Sequence, residues 1–406
     1  MPLTTETPAG ATLIRPFHAE SPDAALQDLR RRLAATRWPG KEVVADLSQG
    51  VQRATIQALT NYWATKHDWR RCEAELNALP QFKTEIDGLD IHFIHVRSPH
   101  EKALPLIITH GWPGSVIELL DVVGPLTDPT AHGGAPEDAF DLVLPSLPGY
   151  GFSEEPQEVG WDPSRVARAW AELMNRLGYD RYLAQGGDVG AAVTDTMARL
   201  APKRLIGIHL NFLRTPPLDV AAALVGRAPL PKLTEEERTA FDALRAQTRK
   251  GYIVEQSSAP QTIGQSLTDS PAGLAAWMLD HDTDSYKKIS RAFLDEQATG
   301  GLTRDRILDN VTLYWLTRSA ASAARMYWES ARAAAAATGH TLPEASLPVA
   351  FTVFPDEIFR APRSWVERVY PNLVYFHEAD RGGHFAAWEQ PELFTAELRA
   401  AFRPLR

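Results

Sequence analysis

Residues 181–200 read RYLAQGGDVGAAVTDTMARL, and the fold turns on them. Arg181-Tyr182-Leu183-Ala184-Gln185 is a short apolar run of the buried-strand kind. Val189, Val193, Met197 and Leu200 then fall on one face of a helix. Between the two periods stands Gly186-Gly187-Asp188-Val189-Gly190. A sharp strand-to-helix turn crowds the backbone, so small residues flank it, and its central side chain projects above the sheet edge. Ser is the usual centre of such a turn; here the centre is Asp188. The helix N-terminus favours an anion there, and a carboxylate so held can attack carbon. Taken alone, an Asp in this place reads more often as a helix N-cap, so the surrounding sequence decides.

Outward from this turn, the chain alternates strand-like and helix-like segments. Phe82, Thr84 and Ile86, then Ile91, Phe93 and His95, alternate around a turn at Asp87-Gly88. Buried-strand runs follow at Leu104–Thr109, Asp141–Pro145 and Leu205–Leu210, with helical patterns over Arg165–Leu177 and Val189–Leu200. This alternation predicts an α/β fold: a mostly parallel sheet with helices on both faces. From about 215 to 345 the pattern is helical without a clear strand, including an Ala-rich stretch at 320–337. Strands resume at Leu347–Val353 and Leu373–Phe376, and Glu392–Phe402 closes as a helix. Before the sheet, Ser21-Pro22-Asp23 is a helix-start signal. Leu26, Leu29 and Leu33, then Val51, Ile56, Leu59 and Trp63, recur at helical spacing. The expected organisation is an N-terminal extension over 1–95 that wraps the core, a first core part over 96–215, a helical cap over 216–345 and a last core part over 346–406. Trp63, Trp69 and Phe82 are expected to supply packing area in the extension.

Composition narrows the function classes. The 42 basic and 51 acidic side chains give a net charge of −9 without a basic block, which argues against nucleic acid as a partner. A single cysteine, Cys72, excludes an internal disulfide and a thiolate zinc site, and favours a reducing compartment. Met1 to Pro16 lacks a signal-peptide pattern, and no run approaches the length of a membrane span. The expectation is a cytoplasmic protein without a membrane anchor, a metal or an organic cofactor.

Three further motifs stand at the ends of predicted strands. His110-Gly111-Trp112-Pro113-Gly114 follows 104–109, and a Gly-rich turn there can offer a backbone N–H to an oxyanion. The second donor would be the N–H after the nucleophile, that of Val189. Phe354-Pro355-Asp356-Glu357 follows 347–353, and Arg381-Gly382-Gly383-His384-Phe385 follows 373–376. The order nucleophile, acid, base is that of the α/β-hydrolases. His384 is the expected general base, with an acid from the 356–357 pair fixing its tautomer.

In His110–Ser115, Gly186-Gly187-Asp188, Asp269–Trp277 and Gly382–Ala387 the chain resembles the epoxide hydrolases of the α/β-hydrolase superfamily. The likeness is to the branch with an N-terminal helical extension, which includes microsomal and juvenile-hormone enzymes. It covers nearly the whole chain. It implies hydrolysis of an epoxide to a 1,2-diol through an ester on Asp188, with Glu357 as the acid of the pair. It also implies two cap tyrosines, Tyr252 and Tyr327, that donate to the epoxide oxygen; Tyr314 and Tyr286 are rivals for that part. Many relatives carry Trp after the nucleophile where this chain has Val189, which alters the pocket wall. The substrate is expected to be a small hydrophobic epoxide, with water as co-substrate. Trp112, Phe152, Trp277 and Trp315 are candidate apolar walls. Relatives are often dimers, so a homodimer is an open expectation. Detoxification or catabolism of aromatic hydrocarbons is the role the family suggests. A dehalogenase would use the same acid and base but favours Trp after the nucleophile. A serine esterase would need Ser at 188, and a binding protein would not need the intact set.

Overall fold

The computed structural model describes residues 13–336 and 343–406. Residues 1–12, which carry most of the segment read for a signal peptide, lie outside the described residues, as does the end of the Ala-rich stretch at 337.

Nine strands form one sheet: β1 (Arg15–Pro16), β2 (Gln81–Ile86), β3 (Leu89–Val96), β4 (Leu104–Thr109), β5 (Phe140–Pro145), β6 (Tyr182–Gly186), β7 (Leu205–Leu210), β8 (Val349–Val353) and β9 (Leu373–Glu378). Their order is β1-β2-β3-β5-β4-β6-β7-β8-β9. The pairs from β1 to β5 are antiparallel and all the rest are parallel. The β2–β3 hairpin closes through Asp87 and Gly88, both left-handed, as a two-residue turn matched to strand twist requires. β4 is buried at every position, which is why it reads as a continuous apolar run. Its alternate residues feed two different cores: Ile107 packs in one, Leu106 and Ile108 in the other. The sheet is therefore covered on both faces.

The α/β reading holds strand by strand, within two residues at each end. Some elements were not expected, among them the helices Leu120–Thr127 and Arg363–Val369. β1 is a two-residue strand too short to show a period, and Trp69–Asn77 is a helix capped by the Asp68 side chain. Residues 218–336 contain eight helices and no strand among the described residues. In the segment expected to wrap the core, β2 and β3 join the sheet instead, through β3 and β5. The helices Asp23–Ala34 and Arg53–Thr65 meet the later helical segment. The Trp63 indole N–H donates to Thr312 Oγ1 at 2.9 Å, and His67 Nε2 lies 2.8 Å from Asp309 Oδ1. Trp63 and Trp69 are buried, and Phe82 stacks on Phe93.

The parallel strands present one common C-terminal edge. Open α/β sheets bind ligands there, where the strand order switches direction. β4 and β6 are neighbours, so the loops that leave them face each other. Those loops carry Trp112 and Asp188.

Candidate active site

Asp188 opens the helix Asp188–Leu200 with φ at +47°, a left-handed conformation that is strained for a residue with a side chain. The neighbours that make the turn feasible are glycines. A Cβ on Gly186 would strike the backbone of Gly190, and one on Gly190 would strike the Thr109 carbonyl. The strain aims the Asp188 carboxylate out of the helix and into the space between β4 and β6. Its Oδ1 accepts from the Trp112 N–H at 2.9 Å. Burial works against its charge. The His384 ring and the N–H groups of Trp112 and Val189 outweigh burial and hold the pKa below the ordinary aspartate value. The two backbone donors expected to receive an oxyanion thus already converge on this carboxylate.

His384 Nε2 stands 3.6 Å from Asp188 Oδ2, and its Nδ1 pairs with Glu357 Oε1 at 2.6 Å. Burial opposes a charged ring, yet the Glu357 and Asp188 carboxylates hold the His384 pKa well above 6.5. Of the adjacent acids, Glu357 faces the ring; Asp356 turns away and pairs with Lys288 at 2.9 Å. Asp380 pairs with Arg381 and Glu378 with Arg360, both at the surface.

Tyr252 and Tyr327 line, with Asp188, a cavity of about 230 Å³. Their rings and that of Trp112 form a triangle with centroids 5.1, 5.9 and 6.1 Å apart. The Tyr252 hydroxyl accepts from Gln247 Nε2 at 2.6 Å, which leaves its own proton free to donate. For Tyr327 no hydrogen-bond partner is found among the described residues. Burial, then the Asp188 charge, pushes both hydroxyls well above the ordinary tyrosine pKa, so both are proton donors. The rivals are engaged elsewhere. Tyr314 donates to the Gly114 carbonyl at 2.7 Å, and Tyr286 bonds the Gln52 N–H and Thr55.

None of the four expected walls lines this cavity; Trp112 borders a smaller one on the other side of Asp188. Phe152 packs on Phe17 and His92 beside β3. Trp277 donates its N–H to Gln256, and Trp315 lies under Arg32. Each is an aromatic filling the protein's own core. The apolar walls are Val189, Phe212, Leu244, Ile253, Met326 and Ile358. Trp112 alone of the four touches the site.

Several supporting residues escaped the sequence reading. Asn310 Nδ2 donates to the Pro113 carbonyl and its Oδ1 accepts from Ser115, so the helix Arg304–Thr317 clamps the loop after β4. His110, which burial drives down to a pKa of about 4, is neutral. It pairs with the Leu147 N–H and the Gly111 carbonyl.

Lys288, from the helix Thr283–Leu294, bonds Glu389 at 2.5 Å as well as Asp356. It thereby ties the acid loop to the histidine loop. Glu389 is buried, so Lys288→Met strands a carboxylate, a loss of about 3–5 kcal/mol in urea unfolding. The double variant Lys288→Met/Glu389→Leu recovers most of that loss. A single variant as stable as wild type would refute the tie.

A mostly parallel sheet, an acid at the strand–helix turn after β6 and a carboxylate–histidine pair after β8 and β9 define an α/β-hydrolase with a carboxylate in the nucleophile's place. A putative epoxide hydrolase of Stigmatella aurantiaca is 51% identical over 97% of this chain and 86% of its own, and epoxide hydrolase 1 of Sus scrofa is 36% identical over 95% and 88%. The epoxide hydrolase N-terminus family model matches residues 14–119, and the crystal structure of juvenile hormone epoxide hydrolase from Bombyx mori aligns at TM-score 0.82 with 31% identity, covering 97% of this chain and 95% of that one. The chain belongs to the epoxide hydrolases, and its reaction is hydrolysis of an epoxide to a diol. No helix among the described residues is long and apolar enough to cross a membrane.

Proposed function

We propose that the reaction runs through a covalent ester on Asp188. The observation that carries this reading is a single carboxylate that borders the tyrosine-lined cavity and also lies 3.6 Å from His384 Nε2. Tyr252 and Tyr327 donate to the epoxide oxygen as charge develops on it. Asp188 attacks a ring carbon, the ring C–O bond breaks, and an alkyl ester forms. His384, oriented by Glu357, takes a proton from water, which adds to the ester carbonyl carbon. The N–H groups of Trp112 and Val189 hold the oxyanion, and collapse releases the diol and restores the carboxylate. An acid suits this task better than Ser, because a Ser ether offers water no carbonyl to attack.

Alkylation also readies the base. Forming the ester removes one of the two negative charges that hold the His384 proton, and the ring's pKa falls accordingly. The walls favour a hydrophobic epoxide. A cytoplasmic setting belongs to this reading, supported by a lone, buried cysteine. So do the division at 1–95, 96–215, 216–345 and 346–406, and a homodimer.

A single turnover in ¹⁸O-water, with enzyme in excess, tests the ester. The label is expected in the peptide that holds Asp188 and not in the first diol released. Label in that first diol would mean direct attack by water and would overturn the ester.

A further inference from the structure

Asp188 borders two cavities, and among the described residues it is the only residue they share. One is the tyrosine-lined chamber. The other is small, about 30 Å³, and is lined by His384, Gln185, Asn211, Thr109 and Glu118 as well as Asp188. That volume admits a water molecule, and the lining is polar enough to hold one. Glu118 sits on the 3₁₀ turn Val116–Leu119 that follows the loop carrying Trp112. Its side chain is half-buried, but its Oε2 is shielded from solvent and has no hydrogen-bond partner among the described residues. A Cβ at Gly114 would occupy the place of this carboxyl, so the glycine keeps the space open for it. A buried, unpartnered carboxyl oxygen is costly unless something fills its hydrogen bond.

We propose that Glu118 holds the water that cleaves the Asp188 ester, from the small cavity that the carboxylate shares with His384. The proposal rests on the ester reading. Substrate enters from the tyrosine side, and water waits on the other, so the two reactants never compete for one space. In the step itself the water oxygen bonds to the ester carbonyl carbon while His384 Nε2 takes one water proton. The second water hydrogen stays on oxygen and donates to Glu118. The bond between the carbonyl carbon and the alkoxy oxygen then breaks, and the proton on His384 goes to the departing alkoxide. The hydrogen left on the re-formed Asp188 carboxyl is lost to solvent, which offsets the proton the epoxide oxygen took up on opening and restores the carboxylate. Glu118 ends as it began. Its charge state suits this use. Burial pushes the carboxyl up to about 8, with the Asp188 charge adding while His384 and the Gly111 N–H oppose. A neutral acid both accepts and donates without competing with His384 for the proton.

The test separates the two half-reactions by quench-flow and intact mass with styrene oxide. Glu118→Leu removes the polar group. Its alkylation rate is expected within about threefold of wild type and its ester breakdown slowed about 10- to 100-fold, so that the adduct accumulates. Glu118→Gln, which still accepts and donates, is expected to restore breakdown to within about threefold. Breakdown at the wild-type rate in Glu118→Leu overturns the proposal. So does an equal fall in both half-reactions that Gln does not rescue, which is the mark of a merely structural part. Should Glu118→Leu not fold, a high-resolution crystal structure of the unmodified enzyme decides. A water bonded to Glu118 beside His384 Nε2 supports the proposal, and a cavity without one overturns it. Absence of any ester in the wild type would instead overturn the ester reading.

Discussion

Replacing His384 with Gln is expected to turn the enzyme into a single-use reagent. An adduct of epoxide mass appears on Asp188, and diol release falls by about 10³- to 10⁴-fold. The reasoning is geometric. In the proposed mechanism, attack on the epoxide uses Asp188 and the two tyrosines, and His384 takes no part in that bond change. Breakdown needs a base beside the ester, and His384 Nε2, 3.6 Å from Asp188 Oδ2, is the base available. Gln keeps an N–H that can donate to Glu357 Oε1, so the buried carboxylate is not left bare. Peptide mapping after incubation with a panel of aryl and alkyl epoxides reads the result. An adduct on another residue, or turnover within tenfold of wild type, would sink the assignment. The variant also carries a stability signature. His384 has a raised pKa in the folded protein. Its contribution to stability is fully present below the unfolded value of about 6.5 and is lost as pH rises through the folded value. The destabilisation of His384→Gln relative to wild type is therefore largest in acid and shrinks with alkali, as urea titrations at several pH values would record.

Most of the sheet was legible because its central strands are buried on both faces and the β2–β3 hairpin is closed by a tight turn. Leu104–Thr109 and Leu205–Leu210 show unbroken apolar runs, and Asp87-Gly88 marks a hairpin by its chemistry alone. Asp188 and His384 were legible because each sits in a glycine-rich turn that the backbone needs. Adjacent acids at 356 and 357 cannot be told apart locally; what separates them is Lys288, a residue about seventy positions away that captures Asp356. Glu118, Gln247, Asn310 and Lys288 share that difficulty. Asn310 and Lys288 act through long-range contacts, Gln247 and Glu118 through nearby turns, and none stands in a motif. The aromatic walls failed for a different reason. A large apolar side chain fits a core and a pocket equally well, and nothing in Phe152, Trp277 or Trp315 says which neighbour it meets. Phe212 and Met326, which do line the chamber, carry no signal beyond hydrophobicity.

The second large effect concerns the tyrosine pair. Tyr252→Phe and Tyr327→Phe are each expected to slow alkylation by about 10- to 100-fold, and the double variant by about 10³-fold or more. Each single variant leaves one donor on the same developing oxyanion, so the losses do not simply multiply. The two singles should differ in stability. Tyr252→Phe strands the Gln247 amide that now donates to its hydroxyl at 2.6 Å, at a cost of about 1–3 kcal/mol. No partner is found for the Tyr327 hydroxyl among the described residues, so Tyr327→Phe should unfold at the wild-type urea concentration while losing comparable activity. That dissociation of rate from stability is what a donor to substrate predicts and what a structural tyrosine does not. Ester breakdown provides the control. It occurs after the epoxide has opened, so the breakdown rate of a pre-formed ester should stay within about threefold of wild type in both single variants, because His384 and the Trp112 and Val189 N–H groups are untouched. If alkylation proceeds at full rate in the double variant, the epoxide oxygen is held by something else. The Trp112 indole, 5.1 Å from the Tyr252 ring, would then be the next side chain to change.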